Sequence, residues 1–112
     1  MVIKTDQMRA FHDAAMESYI ARVAGELRQQ FREKLKETSD DELKARVRVA
    51  VNTAQSYGIT SAVDGKRFAE YTVEYGPDFH AGPWAYPILT DALTPSEKMD
   101  ALDAYTTFEL RN

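Results

Sequence analysis

The chain contains no cysteine. That excludes a disulfide framework, a thiolate metal site and a cysteine nucleophile together; such a chain suits a reducing compartment without demanding one. Histidine is nearly as scarce, with His12 and His80 far apart. Zinc needs three or four ligands at workable spacing. Asp78 and His80 form an Asp-x-His pair, and Asp64, Glu70 or Glu74 could supply a third ligand, but no spacing selects one. The expectation is no metal and no cofactor. The five glycines, Gly25, Gly58, Gly65, Gly76 and Gly82, are dispersed, so no glycine-rich loop cradles a phosphate. None of Ser18, Ser39, Ser56, Ser61 and Ser96 sits in a nucleophile elbow. No apolar run approaches the roughly 20 residues that cross a bilayer, and Met1–Asp6 lacks the basic and apolar regions of a signal peptide. These absences point to a cytoplasmic protein with no membrane partner. No stretch alternates apolar and polar residues with β-branched enrichment, so no sheet is expected.

What is present is ordinary for a globular chain: 112 residues, 44% hydrophobic and 29% charged. That suits one helical domain over 1–112 with a single core and argues against disorder. The net charge of −4 is uneven. Residues 1–50 carry ten Lys/Arg against nine Asp/Glu; residues 51–112 carry four (Lys66, Arg67, Lys98, Arg111) against nine, a net of −5. An acidic second half disfavours nucleic acid, whose phosphates call for a basic surface. It suits solubility, or a basic protein surface.

Helix signals mark four long segments and a short one, an all-α chain. The first runs from Thr5, a candidate N-cap, to Phe31, with apolar residues at Met8, Phe11, Ala15, Tyr19, Val23, Leu27 and Phe31 in steps of three or four. At about 40 Å it is long for so small a domain, and its far end, Leu27 and Phe31, is expected to extend past the core. Residues 32–37 are charged and either continue this helix or link it to the next. Ser39 with Glu42 reads as a capping box opening a second helix whose face is Leu43, Val47, Ala50, Val51, Ala54 and Tyr57; Gly58 then provides a left-handed turn and Ile59 packs back. A third helix, capped by Thr60 or Ser61 or starting only at Asp64, presents Phe68, Tyr71, Thr72 and Tyr75, ending at Gly76-Pro77. Residues 76–83 form the one long loop. Trp84–Thr90 makes the short helix, with Pro87 tolerated near its start. Thr94-Pro95-Ser96-Glu97 opens the last helix with a cap, a first-position proline and a glutamate at the third position. Met99, Leu102, Tyr105 and Thr106 line its inner face, with Phe108 off that stripe.

Two groups of side chains invite a functional reading. Glu70/Glu74 and Asp100/Asp103 are acid pairs on helix faces, but acids at this spacing are usually solvated, and a raised pKa needs burial. The aromatics are more informative: Tyr71, Tyr75, Phe79, Trp84 and Tyr86 cluster around the loop. They either wedge the loop against the helices, with Trp84 as a buried anchor, or form an interface, since Tyr and Trp dominate binding energy. Both hold if Trp84 lies inside and Phe79 or Tyr86 outside. Tyr75, Phe79, His80, Trp84 and Tyr86 are the candidate protein-binding residues; no catalytic residue is assigned.

The segments Lys4-Thr5-Asp6-Gln7-Met8-Arg9-Ala10-Phe11, Tyr57-Gly58-Ile59-Thr60-Ser61, Tyr75-Gly76-Pro77-Asp78-Phe79 and Pro83-Trp84 resemble a family of small bacterial proteins encoded near type VI secretion components such as spike-tip and effector genes. The resemblance spans about residues 3–90, and its motifs are turn and packing residues. The chain departs from it at His80-Ala81-Gly82, where the family has an acidic loop. The resemblance implies an accessory role, as an adaptor or co-chaperone that helps load an effector onto the secretion spike, or else an immunity protein that inhibits a neighbouring toxin. The partner is then a secretion chaperone, an effector or a toxin. A small helical hydrolase using paired carboxylates is the reading from a different class.

Overall fold

The computed structural model describes residues 5–110, with side chains from residue 14 onward. The expected N-cap contacts of Thr5 and the side chains of Met8, Phe11 and His12 lie outside the described residues. The chain is all-α: α1 (Thr5–Gln30), α2 (Asp40–Ser56), α3 (Ala62–Tyr75), α4 (Ala85–Leu89) and α5 (Pro95–Tyr105), with a 3-10 turn at Phe79–Ala81 and a π-helical turn at Thr106–Leu110. No strand occurs among the described residues. Cα packing resolves two compact units, Met1–Val47 and Arg48–Asn112, that divide within α2.

In the first unit α1 buries Ile20, Val23, Ala24 and Leu27. This corrects the expected stripe: Ala15 is exposed and Tyr19 and Phe31 are half-buried, while Ile20 is fully covered. Leu27 does not extend past the core; it is completely buried. The helix ends at Gln30 and residues 31–37 follow as turns, with Phe31 N donating to Leu27 O, Leu35 N to Phe31 O and Thr38 N to Leu35 O. The turn buries Leu35 within its charged run. Arg28 holds it in place, donating to the carbonyls of Leu35 (3.0 Å) and Thr38 and pairing with Asp40 at 3.1 Å. At the start of α2, Ser39 Oγ accepts from Glu42 N at 3.1 Å, the backbone half of the expected capping box.

α2 buries Leu43, Val47, Ala50, Val51 and Ala54 of the anticipated face, while Tyr57 falls just past its end and is half-buried. It ends in a Schellman motif: Ile59 N donates to Ala54 O, Gly58 N donates to Gln55 O, and Gly58 takes φ 80°. Ile59 is buried. In the second unit Ser61 caps α3, its hydroxyl accepting from Asp64 N at 3.1 Å. Asp64 therefore lies in the first turn and is not the cap. α5 opens with the full reciprocal box: Glu97 N donates to Thr94 Oγ1 (3.2 Å) and Thr94 N to Glu97 Oε1 (3.0 Å), with Pro95 beside it. The core of this unit comprises Phe68, Ala69, Phe79, Ala85, Leu89, Met99 and Leu102.

Candidate functional site

α3 and α5 pack against each other, and two clusters lie along their contact, one polar and one aromatic. The polar cluster centres on Arg67. Its guanidinium donates to Asp64 Oδ1 at 3.1 Å, to Asp100 Oδ1 at 2.9 Å and to Asp103 Oδ2. Asp64, at 4% exposure, is buried, and its other oxygen accepts from Ser96 Oγ at 2.9 Å. Tyr71 donates its hydroxyl to the second oxygen of Asp103 and lies 3.4 Å from Thr106 Oγ1. Helical spacing explains the α3 side: Asp64, Arg67 and Tyr71 recur at three- and four-residue steps and share a face. On α5 the same spacing aligns Asp100 with Asp103.

The electrostatics follow from this wiring. Burial alone would push the Asp64 carboxyl up, but hydrogen bonds from Ser96, Arg67 and Ser61 outweigh it and hold the group below the usual carboxylate range. Burial disfavours charge on Arg67 too, yet Asp103, Asp100 and Asp64 more than compensate and hold its proton more tightly than usual. Burial raises the Tyr71 phenol well above its ordinary range, and the neighbouring Asp103 charge acts in the same direction. The cluster joins three carboxylates to one guanidinium. Every buried side-chain polar atom among the described residues has a partner.

The aromatic cluster runs from the core outward. Phe79 lies 5.0 Å from Phe68 and 5.5 Å from Tyr71, centroid to centroid. Tyr75 meets Trp84 edge-on at 5.5 Å, and Trp84 stacks on Tyr105 at 5.2 Å with the rings 1° from parallel. Tyr75, Trp84 and Tyr105 are all half-buried. On the loop, Tyr57 Oη lies 2.9 Å from His80 Nδ1, and the Tyr57 carbonyl accepts from Lys98 Nζ at 3.0 Å. Burial, then the nearby Tyr86 phenol, raises the Tyr57 hydroxyl.

The five residues singled out from sequence separate on this geometry. Phe79, at 6% exposure, belongs to the core and is closed to a partner; the 3-10 turn drives it inward against Phe68 and Tyr71. Trp84 is half-buried, held edge-on by Tyr75 and stacked on Tyr105. Tyr75 is half-buried beside it, His80 is half-buried against Tyr57, and Tyr86, at 52%, is exposed. The short helix begins at Ala85, one residue after Trp84. Sequence reasoning missed the Arg67 cluster and the stacking role of Tyr105. The α3 spacing of Asp64 and Arg67 was a usable signal; nothing in the spacing indicated that Asp100 and Asp103 would converge on the same guanidinium. Among the described residues no group of three or more His, Asp or Glu side chains could hold a metal, and no helix is long and apolar enough to cross a membrane.

Compared with family models, with curated proteins and with solved structures, the chain finds no match.

Proposed function

We propose that this chain is a non-catalytic protein-binding module, an adaptor or co-chaperone of the kind implied by its resemblance to the type VI secretion family. The observation that carries this reading is the Tyr75–Trp84–Tyr105 row: three half-buried aromatic rings, the outer two each packed on Trp84, in an acid-rich segment. Large aromatic side chains of this kind supply most of the binding energy at protein interfaces. A general acid of the paired-carboxylate type needs a raised pKa, whereas the buried Asp64 is held low by Ser96 and Arg67. The secretion context rests on the resemblance alone.

The test uses the full chain as bait against the purified products of its neighbouring genes, followed by an affinity measurement on any complex. Binding of modest affinity to a chaperone or effector supports an adaptor. Very tight binding to one toxin domain, with protection of cells expressing it, supports the immunity reading instead. If none of these proteins binds, while the chain turns over a hydrolase substrate that Asp64→Asn no longer processes, the protein-binding reading is overturned.

A further inference from the structure

Two cations of the second unit, Arg67 and Lys98, are engaged within it. Arg67 is committed to three carboxylates, and Lys98 donates to the Tyr57 carbonyl. The side chains of Asp100 and Asp103 are 72% and 52% exposed while sharing one guanidinium. Asp100 accepts from Arg67 through Oδ1. Tyr71 links this carboxylate pair to the aromatic row: its hydroxyl donates to Asp103 and its ring lies 6.4 Å from Trp84. The two features thus lie about one tyrosine apart. An exposed carboxylate pair that shares one guanidinium, beside half-buried aromatic rings, is the chemistry that recognises further guanidinium groups, through charge-assisted hydrogen bonds and cation–π contact.

On the protein-binding reading given above, we propose that this surface, formed by Asp100, Asp103, Trp84 and Tyr105, docks an arginine-rich segment of the partner protein. Arginine side chains pair with the Asp100 and Asp103 carboxylates while their neighbours lie over the exposed parts of the Trp84 and Tyr105 rings. The charge is complementary, since residues 51–112 carry a net of −5, and association is steered by it and weakened by salt.

Trp84 is the only tryptophan in the chain, so its emission reports on the site. The full chain is titrated with a nona-arginine peptide, with nona-lysine and nona-glutamate as comparators. Nona-arginine is expected to change Trp84 emission and to bind more tightly than nona-lysine, because only a planar guanidinium stacks as well as pairs. Asp100→Asn, at an exposed position, is expected to weaken nona-arginine several-fold more than Asp41→Asn, which removes the same charge from the first turn of α2. Tyr105→Leu, checked first for folding, is expected to weaken it by about tenfold or more. Equal losses in Asp100→Asn and Asp41→Asn, no binding of nona-arginine, or preference for nona-glutamate overturns the proposal. Failure of the underlying reading looks different. If an identified partner binds wild type, Asp100→Asn and Tyr105→Leu equally, the protein-binding reading stands and this docking surface does not.

Discussion

The Arg67 guanidinium on α3 meets the Asp100 carboxylate on α5 at 2.9 Å, across 33 residues of sequence. The same arginine holds the buried Asp64 within its own helix. One side chain therefore joins two helices and neutralises a buried carboxylate. Arg67→Met is expected to cost about 3 kcal/mol of unfolding free energy, because Asp64 is left buried without its charge partner. Asp100→Asn, on the exposed rim of the cluster, is expected to cost less than about 1 kcal/mol. Urea unfolding of the two variants checks the ordering, and equal losses would mean that Asp64 is satisfied by Ser96 alone.

Acid stability depends on the same carboxylate. Asp64 in the folded chain titrates below the ordinary value of 3.8. A carboxylate with a depressed folded pKa contributes stability that is fully present above its unfolded value and is lost as pH falls through the folded one. Glu97, held down first by the Thr94 backbone N–H, acts with the same sign. The melting temperature should therefore hold near neutrality and fall as pH drops below about 4. Asp64→Asn should start lower and show a shallower acid limb. An unchanged limb in that variant assigns the acid sensitivity to other groups.

Two glycines end helices in conformations that resist a side chain. Gly58 sits at φ 80° and Gly76 at φ 99°, ψ 159°. A Cβ at either position would meet nothing within 4 Å, so the cost of substitution is backbone strain and not collision. Gly58 falls near the left-handed region, which asparagine tolerates, whereas the extended positive-φ region of Gly76 is essentially glycine's alone. Gly58→Asn is expected to cost well under 1 kcal/mol, Gly58→Val about 1–2 kcal/mol, and Gly76→Ala about 1–3 kcal/mol. Thermal melts of the three check the order.

Burial separates the loop aromatics by experiment. Phe79→Ala removes a core ring packed on Phe68 and Tyr71 and should cost about 3–5 kcal/mol of stability. Tyr86→Ala, at an exposed ring, should leave the melting temperature within a degree or two, since surface substitutions are usually within about 0.5 kcal/mol. Any loss of partner affinity in Tyr86→Ala is then a loss of contact. The same loss in Phe79→Ala reports unfolding unless the melt is unchanged, an outcome that would place Phe79 outside the core.

What the residues determined alone is what their near neighbours could decide. The start of α3 stayed open between Thr60, Ser61 and Asp64, but the all-α character, both ends of α2, the Gly76 end of α3 and the Thr94 cap that opens α5 were legible. Each rests on hydrogen bonds spanning six residues or fewer, and each residue type there has a local physical reason. The tertiary structure alone decided which side of α1 is covered. Its apolar residues offered more than one stripe, and the buried one centres on Ile20, Val23, Ala24 and Leu27, not on Ala15 and Tyr19. It also decided that Phe79 turns inward while Trp84 reaches the surface, and that Asp64, Asp100 and Asp103 converge on one guanidinium. The charge pairs that reach across from α5 join residues 32 or more apart, and the ring contacts of Phe79 and Trp84 cross from one element to another; no spacing within a single helix encodes which distant side chain arrives.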